Sequence, residues 1–221
     1  MKKYDTILWD LDGTLLYTLT DLTNSVNAAL TQFNQPAHSQ EKVRQFVGNG
    51  IRRLMERAVP GGKNNPLFPE IFAAFKADYA KNCNNNTKPF DGIPEILQKL
   101  KTAGYRMAIV SNKIDSAVKD LADIHFSETI TAAIGDNPEH NKKPAPDNVL
   151  LALEQLQSQL SHAIYIGDSE VDIMTAQNAG IPMIIVDWGY KDHDFLANAG
   201  GENIVSTPEE LYEKICALQN L

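Results

Sequence analysis

The sequence is short of cysteine, of basic runs and of long apolar stretches, and each shortage removes a class of function. Two cysteines, Cys83 and Cys216, stand in 221 residues, and neither has the spacing of a metal site. They read as free thiols in a reducing compartment and not as a disulfide framework. Lys and Arg number 20 against 28 Asp and Glu, a formal net charge of −8 with a pI near 5.1. No basic run or basic face is present, so nucleic acid is not an expected partner. No apolar stretch reaches the roughly 20 residues of a bilayer-spanning helix, so no membrane partner is expected. The opening residues, Met1-Lys2-Lys3-Tyr4-Asp5, lead directly into a strand without the apolar segment of a secretory signal. His38, His125, His140, His162 and His193 show no ligand spacing. The expectation is a cytoplasmic protein, with monomer and homodimer both open.

What is present points to an enzyme. The chain is long enough for one large domain, or for a domain carrying an insertion. Ile7-Leu8-Trp9-Asp10-Leu11-Asp12-Gly13-Thr14-Leu15 is a short apolar run that ends in two carboxylates one residue apart. The run predicts a buried strand, with Asp10 at its carboxyl end and Gly13 turning the chain away. Two carboxylates beside a buried strand are costly unless something cationic lies between them, which is the first indication of a metal.

Residues 16–88 carry apolar positions at helical spacing: Leu22, Val26, Leu30 and Phe33, then Leu54, Met55 and Ala58, then Ile71, Phe75 and Tyr79. They predict helices without a convincing strand. The polar Asn82–Thr87 stretch reads as a linker back to the first domain. From Pro89 onward, strands and helices alternate. Strands are predicted at Tyr105–Val110, Thr129–Ile134, Ala163–Ile166 and Met183–Val186, with a capping box at Thr207–Glu210 opening the last helix. This pattern predicts an α/β fold, a doubly wound parallel sheet with a Rossmann-like core. The domains expected are residues 1–15 with 89–221 as the catalytic core, and residues 16–88 as an inserted helical domain.

Polar residues then collect at the carboxyl ends of strands: Asp10 and Asp12, Ser111-Asn112-Lys113, and Asp168-Ser169 with Asp172. A loop adds Lys142-Lys143-Pro144. In a parallel sheet these ends share one edge. Mg²⁺ prefers a few carboxylates plus water and phosphate oxygens, and Asp10 and Asp168 can supply the carboxylates. A hydroxyl such as Ser111 and an ammonium such as Lys143 can hold the remaining phosphate oxygens. One carboxylate can attack phosphorus, and a second, two residues on, can protonate the leaving oxygen and then activate water. Taken alone, Ser111 also fits a helix N-cap, and Asp172 also fits the first turn of a helix.

Asp10-Leu11-Asp12-Gly13-Thr14, Ser111, Lys143-Pro144 and Gly167-Asp168-Ser169-Glu170-Val171-Asp172 resemble, in order, the four motifs of the haloacid dehalogenase superfamily. The Val47-Gly48-Asn49-Gly50 turn and Ser111-Asn112-Lys113 are most similar to its phosphoglycolate phosphatase branch. The resemblance covers nearly the whole chain and implies that residues 16–88 are the family's cap. It implies Asp10 as nucleophile and Mg²⁺ ligand, and Asp12 as general acid/base and metal ligand through its backbone carbonyl. Thr14 and Ser111, with the backbone at Asn112, would hold the phosphoryl group and Lys143 would neutralise it. Asp168 would be a metal ligand, and Asp172 would support the metal site or Lys143. In the cap, Gly50 and Arg52 are candidate substrate contacts, and Arg52 and Arg53 fit a solvated face equally. Relatives often place Asp before Ser or Thr after the first motif, where this chain has Tyr17-Thr18.

The expected function is Mg²⁺-dependent hydrolysis of a small phosphorylated metabolite, of the phosphoglycolate kind, through an aspartyl-phosphate. A phosphomutase of the β-phosphoglucomutase type shares all four motifs and is the alternative enzyme reading. A non-catalytic binding protein retaining the fold is the alternative of another class. A dehalogenase is disfavoured, because those enzymes lack the second carboxylate that Asp12 provides.

Overall fold

A computed structural model of the chain describes residues 2–220. The chain divides into two compact units: the stretch up to Leu16 together with everything from Pro89 onward, and Tyr17–Lys88. The seven strands among the described residues are β1 (Thr6–Trp9), β2 (Leu16–Tyr17), β3 (Lys88–Pro89), β4 (Arg106–Ile114), β5 (Ala132–Asp136), β6 (Ala163–Gly167) and β7 (Met183–Ile185). Five form one sheet in the order β5-β4-β1-β6-β7, and every pairing in it is parallel. β2 and β3, where the chain passes between the two units, pair as a short ribbon.

A parallel sheet needs helical cover on both faces, and the alternation of its strands shows how that cover is divided. Ile7 and Trp9 of β1 join Met107, Ile109, Ile164 and Ile166 in one core cluster. Leu8 joins Ala108, Val110, Ala163 and Tyr165 in the other. The first cluster is closed by helices α5 (Ile93–Thr102), α6 (Asp115–Phe126) and α10 (Pro208–Ala217), and the second by α7 (Asp147–Gln155), α8 (Glu170–Ala179) and α9 (His193–Asn198). Ile7, Leu8 and Trp9 are fully buried, each contributing about 1.5–3 kcal/mol by area transfer. The register sets Trp9 opposite Ile109 on one side and Ile166 on the other. Asp10 and Asp168 therefore leave the sheet at nearly the same level.

The structure departs from the sequence pattern in several places. β4 does not stop at Val110 but runs to Ile114, and its register against β5 shifts on the way, from Val110 opposite Ile134 to Ile114 opposite Asp136. A bulge of this kind re-aims side chains, and the shift falls on Ser111, Asn112 and Lys113. β5 begins at Ala132 and not at Thr129, and α9 had no counterpart in the periodicity. Thr207 caps α10 by accepting from the Glu210 amide at 3.1 Å. The Glu210 carboxylate, however, accepts from the amide of Ser206 at 2.8 Å, one residue before the position that a capping box requires.

The helical unit contains α1 (Leu19–Gln32), α2 (Gln40–Phe46), α3 (Gly50–Ala58) and α4 (Phe68–Asn82). Its interior includes Val26, Leu30, Leu54, Met55, Ile71 and Phe75. The polar stretch after α4 is tied down by one carboxylate. Asp21, in the first turn of α1, accepts from the amides of Asn86 and Thr87, each at 2.8 Å, and from their side chains at 2.8 and 2.9 Å. Burial alone would raise the Asp21 pKa, but these donors together outweigh it and hold the carboxyl below its ordinary value.

Asp21→Ala leaves those donors unpaired and is expected to lower stability by about 3 kcal/mol, read from urea unfolding at pH 7. Because the folded-state pKa is depressed, the contribution is complete above the ordinary carboxylate pKa. It fades as pH falls through the folded value, so wild type and variant converge in acid. An unchanged midpoint at pH 7 contradicts the assignment.

Candidate active site

The carboxyl ends of β1 and β6, the loop before α7 and the first turn of α8 bring four buried charged side chains together. Asp10, Lys143, Asp168 and Asp172 are each at most 7% exposed. One carboxylate oxygen from each of Asp10, Asp168 and Asp172 lies within 4.8 Å of the others. Lys143 Nζ sits between two of them, 2.7 Å from Asp10 Oδ1 and 2.8 Å from Asp172 Oδ1. Its third contact is the Tyr165 hydroxyl at 3.1 Å, which lies 3.1 Å from Asp172 Oδ1 and 3.3 Å from the Val110 carbonyl. The tandem lysines are thereby distinguished. Lys142 is half-exposed and stands 3.8 Å from Asp136, whereas Lys143, joined to Pro144 by a cis peptide, points into the cluster.

Asp172 has two tasks. Its Oδ2 accepts from the Ser169 amide at 3.1 Å and the Ser169 hydroxyl at 2.5 Å, at the start of α8, while Oδ1 holds Lys143. The helix-start role and the lysine-support role are thus filled by one residue. Asp168 is fixed by the Tyr190 amide at 2.9 Å and lies 3.4 Å from the Thr14 hydroxyl. Two glycines make room for it. A Cβ at Gly13 or at Gly189 would come within 2.3 Å of Asp168 Oδ2, so the backbone approach to this carboxylate requires bare glycine at both positions. Gly13 also has φ +91°, which favours glycine at the turn after β1.

Burial is the main force on these groups, and the neighbouring carboxylates add to it. Asp10 is pushed up to about 7, first by desolvation and then by Asp172, against the opposing pull of Lys143. Asp168 is driven upward by burial and then by Asp10 and Asp172. Burial disfavours the Lys143 ammonium, but Asp10 and Asp172 outweigh it and keep the lysine protonated well above its ordinary range. With all three carboxylates ionised, one ammonium leaves two negative charges uncompensated. A buried all-oxygen donor set with that deficit fits a hard divalent cation such as Mg²⁺.

The remaining candidates divide by location. Asp12 does not join the three converging carboxylates. Its Oδ1 accepts from Lys113 Nζ at 3.1 Å, and the Lys113 side chain is 2% exposed against 26% for Asp12. Ser111 is buried, and its hydroxyl accepts from the Lys113 amide at 3.3 Å. Asn112 Nδ2 donates to the Lys143 carbonyl at 3.0 Å, bracing the backbone of that lysine. Thr14 is buried, and its carbonyl accepts from Trp188 Nε1 at 3.2 Å. Gly50 opens α3 in the helical unit. Arg52, in the same helix, pairs with Glu56 at 3.2 Å and lies over the Phe68 and Phe72 rings.

The sequence pattern assigns no separate role to Tyr165, to Lys113 or to the Trp188-Gly189-Tyr190 turn, all of which touch the site. Tyr165 gave a usable signal, because a tyrosine inside a wholly buried strand requires a partner for its hydroxyl.

Known proteins resemble this chain over most of its length. The family model described as haloacid dehalogenase-like hydrolase matches residues 7–186. A phosphoglycolate phosphatase of Caulobacter vibrioides is 34% identical over 192 residues, covering 85% of this chain and 81% of that one. One from Nitrosococcus oceani is 31% identical over 230 residues, covering 100% and 97%. A crystal structure from Lactobacillus delbrueckii subsp. bulgaricus, provisionally described as a phosphoglycolate phosphatase, superposes with a TM-score of 0.92. It is 32% identical and covers 97% of this chain and 99% of its own.

The charge deficit makes a metal prediction. Mg²⁺ should raise the melting temperature saturably, by several degrees at about a hundredfold excess over its Kd, equivalent to ~2.7 kcal/mol. Chelation should reverse the shift, and Asp168→Asn should remove most of it. An equal shift in that variant, followed by differential scanning fluorimetry, contradicts the site.

Proposed function

The chain belongs to the haloacid dehalogenase-like hydrolases and is a phosphoric monoester hydrolase for small phosphorylated substrates; we propose that it works with Mg²⁺, through an aspartyl-phosphate on Asp10, on a metabolite of the phosphoglycolate kind. The observation that carries this reading is the single ammonium of Lys143 held between Asp10 and Asp172. It orients one oxygen of the nucleophile and leaves the other for attack. Among the described residues no donor is bonded to Asp10 Oδ2.

In the first step Asp10 Oδ2 forms a bond to phosphorus. The bond from phosphorus to the ester oxygen breaks, and Asp12 gives that oxygen a proton. In the second step Asp12 takes a proton from water as the water oxygen attacks phosphorus, and the bond to Asp10 breaks to release inorganic phosphate. Lys143 places its charge beside the transferring group, where a fixed charge in a site of low dielectric is worth most. Ser111 and Thr14 are assigned to hold phosphoryl oxygens. Asp10 and Asp168 would hold Mg²⁺, which when bound supplies further positive charge against those oxygens. Asp172, with both oxygens engaged by Lys143, Tyr165 and Ser169, is assigned to position Lys143. Residues 17–88 are assigned the role of the cap. The substrate class is supported by the resemblance to the phosphoglycolate phosphatases above.

Asp10→Asn keeps the shape of the side chain and removes the nucleophile. It is expected to lower kcat/KM for Mg²⁺-dependent hydrolysis of an aryl phosphate by about 10⁴-fold or more. Turnover within tenfold of wild type at equal folded fraction would refute the assignment.

A further inference from the structure

The two units differ in charge. Residues 17–88 hold nine Lys and Arg against five Asp and Glu, a net +4, leaving −12 for the rest of a chain whose total is −8. The positive charge of the helical unit is concentrated. An open cleft of about 580 Å³ is formed wholly within this unit, with Arg53, Arg57 and Lys63 in its lining.

The cleft is built by local backbone constraints. Arg53 and Arg57 stand one turn apart on α3 (Gly50–Ala58), a like-charge spacing that disfavours the helix. Arg57 Nη1 donates to the carbonyls of Phe46 and Gly48, at 2.8 and 3.4 Å. These acceptors are neutral, so the guanidinium is anchored and its charge remains. Lys63 is delivered by the Gly61-Gly62 turn, where both residues have positive φ. A Cβ at Gly62 would lie 2.8 Å from the Glu56 carbonyl oxygen, so the turn packs directly on α3. The cleft has one carboxylate, Glu56, and it is drawn to Arg53 at 2.7 Å and to Arg52 at 3.2 Å. Three cations against one carboxylate leave an excess of two positive charges. Planar guanidinium forks beside an ammonium suit the oxygens of phosphate and carboxylate groups.

We propose that this cleft is an anion-binding site of the helical unit that takes a small, multiply charged oxyanion on Arg53, Arg57 and Lys63. The shared chemistry has two sources, a free phosphate-bearing metabolite or a second anionic group on the substrate itself. The site's residues all belong to the helical unit, so its existence does not depend on the phosphatase reading.

The test uses the full chain with divalent cations chelated and inorganic phosphate as probe, followed by NMR of the Arg Nε–Hε and backbone amide signals. Saturable shifts centred on Arg53, Arg57 and Lys63 are expected. Arg53→Gln with Lys63→Gln, both exposed positions, should weaken binding about a hundredfold, the scale of two lost charge-assisted contacts. Asp10→Asn should leave it unaltered. Shifts that do not saturate, or that persist equally in the double variant with its melting temperature retained, overturn the proposal. The two sources separate in kinetics with Mg²⁺ restored. A KM rise in the double variant for phosphoglycolate but not for an aryl phosphate identifies the substrate's own carboxylate. Unchanged KM for both, with phosphate binding lost, identifies a free anion. Failure of the wild type to hydrolyse either ester counts against the phosphatase reading and leaves the NMR result standing.

Discussion

One buried ammonium organises the charged cluster at the carboxyl edge of the sheet. Lys143 is held between Asp10 and Asp172, and each member of that trio would be untenable alone in a dry interior. The carboxylates keep the lysine charged, and the lysine makes it possible for two carboxylates to face one another. Asp168 then adds a further negative charge, which the ammonium cannot offset. The result is a cluster with two uncompensated negative charges, the deficit that one divalent cation would offset. In that setting the Asp10 pKa is pushed up to about 7, with burial as the chief cause and Asp172 the next.

Holding such charges requires a rigid frame, and the sheet provides it. Parallel pairing sets the carboxyl ends of β1 and β6 side by side, and fully buried faces on both sides fix their height. Side chains inserted at the turns would break the arrangement. Gly13 and Gly189 let two backbone segments close on Asp168, and a Cβ at Gly167 would meet Asp172 Cγ at 2.3 Å. The close approach of backbone to carboxylate therefore pre-organises the site before any ligand arrives.

The layout of the fold was legible because its signals are local. The apolar run ending in Asp10 marks a central strand, and alternating strands and helices mark a doubly wound sheet. What could not be read depends on tertiary proximity. Nothing local separates Lys142 from Lys143 except the following proline, yet one is half-exposed and the other is buried against two carboxylates. Lys113 looks like a solvated residue at a strand end, but the register shift in β4 turns it inward to Asp12, 101 positions away. Tyr165 sits in an apolar strand and reads as core, although its hydroxyl belongs to the lysine network. At Thr207 the cap forms as the local pattern predicts, but the reciprocal bond comes from Ser206, where the chain before the helix brings that amide to Glu210.

The central claim is that phosphorus passes through the Asp10 carboxylate while Lys143 and Asp172 hold that carboxylate in place. It is tested most directly by rapid acid quench of a single turnover, followed by peptic digestion and mass spectrometry. The account predicts one phosphoryl group, transiently and stoichiometrically, on the peptide that contains Asp10. It should be absent in Asp10→Asn, and its yield should be strongly reduced when Asp172→Ala removes the support of Lys143. A phosphoryl group on any other residue, or full turnover with none trapped at Asp10, would contradict it.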